Sequence, residues 1–302
     1  MDNKPFRPMR AADVDYDKLK FPYMLTPKLD GHRCIIIDGV AMTSTMKPFP
    51  NKYVQELFGR PEYNGLDGEL IVGDPTAEDV FEKTSSGVRS VEGKPDVMFY
   101  VFDIAGEGSA IDRAMKAISL LKEHSDNLRL TWVMVTFVYV KPYLDFMADK
   151  YLRQGYEGVM LRHVDSPYKQ GRATVKENYL LKVKPMEDAE ARIIAINEQM
   201  ANTNEAKKDE LGRTKRSTAK AGKVPKGTAG SFTVQAINGR YAGETFEVGS
   251  GLDDATRQHV WDNKEEYMGR VLTFKYQPVG NYKKPRLPIF LRFRDGEDYD
   301  VE

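Results

Sequence analysis

Hydrophobic positions in residues 1–185 follow two different periods along the chain. Runs rich in β-branched and aromatic residues predict strands at residues 33–38, 97–103 and 132–140. Between and after them, residues 111–123 place apolar side chains at helical spacing, and residues 142–154 begin with a proline and stop before Gly155. Strands and helices interleave without a regular βαβ repeat. We therefore expect an α+β domain with mixed, largely antiparallel sheets and helices on their faces.

The hydrophobic pattern changes after Pro185, where residues 200–229 are polar, basic and without apolar periodicity. The rest of this region predicts five short strands, at residues 191–197, 231–237, 244–248, 270–276 and 289–293. A helical segment at residues 253–268 falls between the third and fourth of them. This order fits the OB-fold, a small and partly open β-barrel. We predict two domains, residues 1–185 and residues 186–302, the second with a basic insertion.

Composition narrows the class of protein. The chain has 302 residues, of which 41% are hydrophobic and 30% charged, so there is enough apolar material for two cores. No apolar run approaches the roughly 20 residues that span a bilayer, and the polar N-terminus carries no secretory signal. The single cysteine, Cys34, excludes an internal disulfide and a cysteine-rich zinc site. We expect a soluble, cytoplasmic protein.

The net charge is zero, but the cations are unevenly distributed along the chain. Zero net charge alone argues against a simple basic DNA-binding protein. Residues 211–227, however, contain six cations and no acid, namely Arg213, Lys215, Arg216, Lys220, Lys223 and Lys226. Because this segment has little to bury, we expect it to be disordered by itself and to grip DNA phosphates. A solvated linker is the alternative interpretation.

Several short strings carry residues suited to chemistry. The first is Lys28-Leu29-Asp30-Gly31-His32-Arg33, between two strand candidates. Later strings are Asp67-Gly68-Glu69, Phe102-Asp103, Glu157-Gly158 and Lys182-Val183-Lys184. The last two lysines point to one face of a strand, where they repel each other unless an anion lies between them. Taken alone, the first string could be a charged hairpin turn without a function. Exposed strand faces could explain each later string, but they explain the whole series in this order poorly.

The series resembles the motifs of covalent nucleotidyltransferases, which include ATP-dependent DNA ligases and mRNA capping enzymes. It is most similar to small bacteriophage-type DNA ligases, and the similarity extends over essentially the whole chain. Residues 28–33 resemble the first motif, residues 67–69 the third, and Phe102 the aromatic element after it. Glu157-Gly158 resembles the fourth motif and residues 182–184 the fifth, while residues 286–294 resemble the last. The implied fold is an ATP-grasp-like nucleotidyltransferase domain followed by a β-barrel OB-fold domain.

This resemblance implies specific roles. Lys28 attacks the α-phosphorus of ATP and becomes adenylated, with Mg²⁺ as the metal and Mn²⁺ as a substitute. Glu69 and Glu157 are oxygen ligands suited to that metal. The implied nucleotide-binding residues are Thr26, Lys28, Leu29, Arg33, Glu69, Phe102, Lys182 and Lys184. Core packing is the alternative role for Phe102. Near the C-terminus, Arg292 and Arg294 are implied to orient pyrophosphate.

The implied partner is nicked double-stranded DNA, in repair, replication or recombination. AMP would move to the 5′-phosphate of the nick, and the 3′-hydroxyl would then displace it. We expect a monomer that binds no membrane. Such ligases carry a Ser-Arg pair soon after the first motif; here Ser44 is followed by Thr45, which leaves Lys47 as the candidate phosphate contact. The last motif also lacks its usual Asp-Lys after Arg294.

Other functions stay open at this point. A GTP-dependent mRNA capping guanylyltransferase shares the lysine motif, although capping enzymes favour Asp-Gly where this chain has Glu157-Gly158. An RNA ligase fits less well, because the C-terminal segment resembles the OB domain of DNA ligases. A non-catalytic OB-fold binder of single strands leaves Lys28, Glu69 and the lysine pair unexplained.

Overall fold

The structure is a computed structural model that describes residues 5–278 and 283–294. Its backbone contacts divide the chain into two compact units. Unit 1 comprises Met1–Lys184 together with Glu210–Arg213, and unit 2 comprises Pro185–Asp209 with Thr214–Glu302. Among the described residues, no helix is both long and apolar enough to span a membrane.

Unit 1 contains two five-stranded sheets with helices packed on them. Its strands are β1 (Ala12–Asp13), β2 (Tyr23–Pro27), β3 (His32–Ile37), β4 (Val40–Thr43), β5 (Leu66–Val72), β6 (Val97–Ile104), β7 (Leu130–Trp132), β8 (Thr136–Val138), β9 (Val159–His163) and β10 (Leu180–Val183). Its helices are α1 (Lys52–Phe58), α2 (Val80–Arg89), α3 (Ala110–Glu123) and α4 (Lys141–Arg153). The two helices expected at residues 111–123 and 142–154 are confirmed to within a residue.

The two sheets are mixed and largely antiparallel, as expected. One sheet has the strand order β1-β10-β9-β2-β8 and the other β4-β3-β5-β6-β7. Only the β1–β10 and β6–β7 pairings are parallel among these strands. Tyr23, Leu25 and Leu161 are fully buried beneath the first sheet, and Phe58 and Phe99 beneath the second. Apolar side chains at alternate strand positions thus give each sheet its own core.

The single strand expected at residues 132–140 is wrong. The chain instead forms β7 and β8, and these two short strands belong to different sheets. Between them, the Val133 N–H donates to the Val101 carbonyl at 2.9 Å, and the Val133 side chain is buried beside Leu29 and Ile71. A continuous apolar run could not reveal this change of sheet, because both parts of the run are buried in separate cores.

Unit 2 contains a five-stranded barrel-like sheet. Its strands are β11 (Glu187–Asn202), β12 (Ala206–Lys208), β13 (Thr214–Arg216), β14 (Lys223–Ala236), β15 (Thr245–Val248), β16 (Val271–Gln277) and β17 (Arg286–Phe293). Its helices are α5 (Asp254–Asp262) and α6 (Lys264–Tyr267). The sheet order is β15-β14-β11-β16-β17, and a bridge between Ser250 and Ile289 links the two edges. The predicted OB-fold, with its helical segment after the third barrel strand, is confirmed, although that segment is two helices divided at Asn263.

The basic insertion is folded in this structure, so the expectation that it is disordered by itself is wrong here. We call residues 200–209 and 214–227 the basic arm. The β12–β13 hairpin forms part of it, and the ends of β11 and β14 pair through Met200 and Pro225. The Asn202 and Asn204 side-chain amides both donate to the Ser217 carbonyl, at 2.8 and 3.0 Å. Polar side chains bonded to backbone therefore supply the order that apolar burial does not.

Candidate active site

A cavity of about 270 Å³ lies between the two sheets of unit 1. Strands β2, β9 and β10 supply one wall, and β3, β5 and β6 supply residues of the opposite wall. Seven residues predicted to bind nucleotide line this cavity, namely Thr26, Lys28, Leu29, Arg33, Glu69, Phe102 and Lys182. The structure thus brings together motifs that are more than 150 residues apart in the sequence.

Backbone bonds fix Lys28 beside Glu157. The Lys28 N–H donates to the Gly158 carbonyl at 2.9 Å, and the Glu157 N–H donates to the Lys28 carbonyl at 3.3 Å. Gly158 has a φ of +147°, and a β-carbon there would lie 2.1 Å from the Val183 carbonyl oxygen. Only glycine allows this close approach, so the glycine of the fourth motif is needed to bring three motif strands together.

The Glu157 carboxylate is shared by two lysines. Lys28 Nζ donates to Glu157 Oε2 and Lys184 Nζ donates to Glu157 Oε1. The carboxylate is only 2% exposed. Burial raises the pKa of Glu157, but the positive charges of Lys28 and Lys184 outweigh burial and hold the pKa below its ordinary value. Burial, followed by the charge of Lys28, lowers the pKa of Lys184 despite its bond to Glu157.

The spacing of Lys182 and Lys184 indicated one anion bound between them, but in the structure the two side chains pair with different carboxylates. Lys184 binds Glu157, whereas Lys182 Nζ lies 3.1 Å from the Asp13 carboxylate on neighbouring β1. The two ammonium groups of the pair therefore bind different carboxylates, and Lys184 shares its carboxylate with Lys28. Lys182 lines the cavity, and Lys184 acts on the site through Glu157.

Glu69 is the second carboxylate of the site, and its pKa is shifted in the opposite direction from that of Glu157. It is partly buried on β5 and lines the cavity. Burial raises its pKa to about 7; the nearby charges of Lys28 and Arg33 oppose that rise, and Glu157 adds to it. Glu69 lines the cavity, and Glu157 is bonded to Lys28, which also lines it. Two neighbouring carboxyl groups with pKa values pushed apart are typical of a catalytic site.

Arg33 is held by protein rather than left free for an anion. Its Nε and Nη2 both donate to the fully buried Asp67 carboxylate at 2.5 Å, and Nη2 also donates to the Met9 carbonyl at 3.0 Å. Its guanidinium carbon lies 4.8 Å from the centre of the Phe102 ring. Phe102 sits where the β5–β6 register shifts by one residue, and such a bulge turns its ring towards the cavity.

A buried ionic network behind the cavity was not anticipated from the sequence. Asp103, only 1% exposed, binds Arg113 Nε at 2.8 Å and Arg162 Nη1 at 2.6 Å. Tyr168 donates its hydroxyl to Asp67 Oδ2 at 2.7 Å. Arg162 also lines the cavity, and its place five residues after Glu157 on a strand was the one available signal. Of the remaining cavity residues, Ser44 is the serine of the Ser-Arg pair that this chain lacks in full, and Arg10, Met160 and Arg172 were not predicted as site residues.

Other predicted residues lie away from this cavity. Lys47 Nζ is 3.1 Å from the Glu210 carboxylate. In unit 2, Arg292 is exposed on β17 opposite Thr273, and Arg294 Nε lies 2.8 Å from the Glu190 carboxylate. The six cations of the insertion are exposed: Arg213 lies in the segment grouped with unit 1, and the other five belong to the basic arm. Their roles stay predictions.

A magnesium site would have to draw on substrate atoms. Within residues 5–278 and 283–294, no three His, Cys, Asp or Glu side chains are grouped to hold a metal. Glu69 can offer one carboxylate, while both oxygens of Glu157 accept bonds from lysines. Mg²⁺ commonly binds one or two carboxylates and completes its shell with phosphate and water. The residues present therefore fit a metal that arrives with a nucleotide.

The fold and the site together define a nucleotidyltransferase domain joined to an OB domain. Residues 221–294 match the DNA ligase OB-like domain family. The chain is 26% identical over 231 residues to a DNA ligase of Haemophilus influenzae, covering 75% of this chain and 70% of that protein.

Solved structures agree with this assignment. The chain is 29% identical to a Chlorella virus DNA ligase-adenylate, with a TM-score of 0.54 over 97% of this chain and 99% of that one. A Lig E DNA ligase is 26% identical, with a TM-score of 0.70 over 94% of this chain and 98% of that one. The resemblance to small ATP-dependent DNA ligases is confirmed.

Proposed function

We propose that this protein is an ATP-dependent DNA ligase that seals nicks in duplex DNA. The observation that carries the proposal is the placement of Lys28 on a cavity between two sheets, bonded to a carboxylate that a second lysine also holds. The similarity to DNA ligases along nearly the whole chain supports the same function. A guanylyltransferase is not favoured, because the similar proteins are DNA ligases.

In the first step, Lys28 Nζ attacks the α-phosphorus of ATP. The ammonium group first loses one proton to solvent and becomes a nucleophilic amine. The N–P bond then forms, the bond to pyrophosphate breaks, and a second proton leaves the nitrogen to solvent. Glu157 Oε2 accepts the hydrogen bond from Nζ and therefore holds the amine in place as it loses its charge. Phe102 offers a ring face for adenine, and Thr26 with the backbone near Leu29 can meet the edge of the base. Positioning and charge stabilisation are the main contributions of the protein.

In the second step, the 5′-phosphate of the nick attacks the phosphorus of AMP, and the P–N bond to Lys28 breaks. The amine leaves and regains its proton. In the third step, the 3′-hydroxyl attacks the 5′-phosphorus, its proton departs, and AMP leaves with the bonding electrons. Lys182 stays on the cavity wall through all three steps, where it can offset charge on the transferring phosphates, and Lys184 acts through its bond to Glu157.

Magnesium would enter with ATP, and manganese would substitute for it. We assign Glu69 as its first protein ligand, since this carboxylate faces the cavity and is not bonded to a lysine. Glu157 becomes available once Lys28 carries AMP and has lost its charge. The metal would supply charge neutralisation for the pyrophosphate that departs.

Unit 2 would contribute most of the remaining contacts, and Lys47 and Arg213 of unit 1 the others. We assign Arg292 and Arg294 to pyrophosphate on the basis of their motif, and the exposed cations of the basic insertion to DNA phosphate. Lys47 is assigned to DNA as well, with Glu210 as its present partner. We further propose a cytoplasmic monomer that acts in replication, repair or recombination.

Trapping the covalent intermediate tests the proposed function. Incubation with Mg²⁺ and labelled ATP or GTP, followed by denaturation, should leave AMP and not GMP on the wild-type chain. Lys28→Ala should carry no label. Lys28→Arg should carry none either, because a guanidinium stays protonated and is a poor nucleophile. A labelled adduct in either variant would remove Lys28 from this role, and labelling by GTP alone would indicate a capping enzyme.

A further inference from the structure

Four residues behind the cavity of unit 1 form a closed ring of hydrogen bonds. The Tyr168 hydroxyl donates to Asp67 Oδ2 at 2.7 Å and accepts a bond from the Met9 N–H at 3.3 Å. Asp67 also accepts bonds from Arg33 Nε and Nη2, and Arg33 Nη2 donates in turn to the Met9 carbonyl at 3.0 Å. Each member of the ring therefore binds two of the others.

This ring joins the two sheets between which the cavity lies. Arg33 and Asp67 belong to β3 and β5 of one sheet. Tyr168 lies between β9 and β10 of the other sheet, and Met9 precedes its edge strand β1. Met9 and Asp67 are fully buried, and hydrogen bonds in such surroundings are stronger than bonds exposed to water. The ring therefore fixes the two walls of the cavity against each other at this point.

Of the four residues, Arg33 alone lines the cavity. Its guanidinium carbon lies 4.8 Å from the centre of the Phe102 ring, which also lines it. The bidentate pair with Asp67 sets the plane of the guanidinium only as far as the carboxylate is itself held in one orientation. The hydroxyl of Tyr168 is the bond that holds the carboxylate from its other side. The orientation of Arg33 in the cavity thus depends on Tyr168.

The surroundings of Tyr168 keep its hydroxyl protonated and in place. Burial, and then the negative charge of Asp67, raise the pKa of Tyr168, so that the group stays a hydrogen-bond donor at neutral pH. Its ring stacks on Phe6 with 6.2 Å between centroids, and the guanidinium carbon of Arg113 lies 5.7 Å from its centre. Replacement of Tyr168 with Phe therefore removes the bonds of the hydroxyl and keeps the ring that packs there.

We propose that Tyr168 is a positioning residue for nucleotide binding, which acts through Asp67 on Arg33. This inference rests on the proposed function. With the hydroxyl present, Arg33 is oriented before ATP arrives. Without it, ATP binding must itself order Arg33, and that cost lowers the affinity. Once ATP is bound, Arg33 is in place again, so the rate of attack by Lys28 changes little.

The test measures binding and chemistry separately. Binding is measured as the Kd of α,β-methylene-ATP with Mg²⁺, because this analogue cannot transfer AMP. Tyr168→Phe should raise that Kd by about tenfold, the size of effect that loss of a hydrogen bond to a charged group commonly has. The rate of self-adenylation at saturating ATP should stay close to that of the wild type. A higher Kd with an unchanged rate is the expected result.

Tyr23→Phe is the matched control. Tyr23 is a buried tyrosine of unit 1 whose hydroxyl donates to Asn178 Oδ1 at 2.5 Å and accepts a bond from the Lys20 N–H at 2.8 Å. The variant loses the same kinds of bond, but neither partner lines the cavity. Its Kd should equal that of the wild type. An equal rise in Kd for both variants would show that Tyr168 only supports the fold, and melting curves of both accompany the assay.

A second comparison tests whether Tyr168 acts through Arg33. Arg33→Lys keeps a positive charge beside Asp67 but removes the planar fork that the carboxylate orients. In that background, Tyr168→Phe should change the Kd by less than about twofold, since residues that act as one unit are not additive. A full tenfold effect in both backgrounds would overturn the proposal, as would an unchanged Kd for Tyr168→Phe. If the wild type itself binds no analogue or forms no adenylate, the proposed function fails instead.

Discussion

At the residue scale, the cavity residue Glu69 and the Lys28 partner Glu157 have opposite electrostatic environments. Glu157 is bonded to Lys28 and Lys184, which keep it ionised despite burial. Glu69 is not bonded to a lysine, and burial raises its pKa to about 7. A structural carboxylate would be expected to find a full complement of partners, so the perturbed pKa of Glu69 is consistent with a ligand-binding role.

The titration of Glu69 makes the stability of the ligand-free protein depend on pH. Its pKa is about 7 in the folded protein against an ordinary value of 4.5, so the folded state holds an extra proton between these values and loses stability as pH rises. Glu69→Gln removes this loss. The variant should therefore gain stability relative to wild type between about pH 5 and pH 8, by at most about 3 kcal/mol at 1.36 kcal/mol per pKa unit.

Urea unfolding at several pH values, without metal or nucleotide, measures this difference. Glu107→Gln changes an exposed glutamate of unit 1 in the same way and serves as the control. A constant difference between Glu69→Gln and wild type across the pH range would contradict the raised pKa.

At the element scale, the basic arm is anchored at its base by α5. Arg257 donates to the carbonyls of Ala229, Gly230 and Gly249 at 2.9, 2.5 and 2.7 Å. Gln258 of the same helix donates to the Gly227 carbonyl at 3.2 Å. These bonds fix the direction in which β14 leaves the barrel. The arm is therefore an extension of the OB sheet that is fixed at its base by hydrogen bonds to α5, which a flexible linker would not be.

The cations of the arm should set the salt dependence of nick binding. Lys215, Lys220 and Lys223 are exposed. Replacing all three with Gln should flatten the log–log slope of affinity against salt by about 2 to 3 units, since each phosphate contact contributes about 0.9. Self-adenylation needs no DNA and should be spared. Nick affinity measured over a range of salt concentrations gives the slope.

A matched triple variant controls for the loss of three charges. Lys52, Lys116 and Lys122 are exposed lysines of unit 1 on α1 and α3. Their replacement with Gln should leave the slope close to wild type. Equal slopes for both triple variants and wild type would show that the arm is a solvated linker.

At the scale of the whole molecule, the residues proposed for the first step come from both units. Lys28, Glu69 and Glu157 belong to unit 1, while Arg292 and Arg294 belong to unit 2. Only the first step releases pyrophosphate. If the two arginines act on pyrophosphate, self-adenylation requires them, whereas the sealing of an already adenylated nick does not.

Arg294→Ala should therefore slow self-adenylation by about 10²-fold, roughly 2.7 kcal/mol of barrier, and should seal a pre-adenylated nick at close to the wild-type rate. Single-turnover assays on the two substrates separate these steps. Arg294 pairs with Glu190, so a melting curve must accompany the assays. Equal losses on both substrates would contradict the assignment, and Arg292→Ala is then the variant to compare.

Much of the architecture could be predicted from local pattern. The helices near residues 111–123 and 142–154 and the five barrel strands follow from periodicity, since each buries one face against a single core. The break between β7 and β8 and the order in the basic arm could not be predicted in that way. At the β7–β8 break, both strands are apolar because each is buried in a core, so the pattern does not show that the sheet changes. In the basic arm, hydrogen bonds from side-chain amides take the place of apolar contacts.

Residue types and their order along the chain were enough to predict the reactive groups, because Lys28, Glu69, Glu157, Lys182 and Lys184 occur in an order that few other functions explain. Only the folded structure shows which carboxylate each cationic side chain pairs with. It assigns Glu157 to two lysines, Arg33 to Asp67 and Lys182 to Asp13. Charge balance depends on distances of a few ångströms between residues far apart in the chain, and the spacing of residues along a sequence does not encode them.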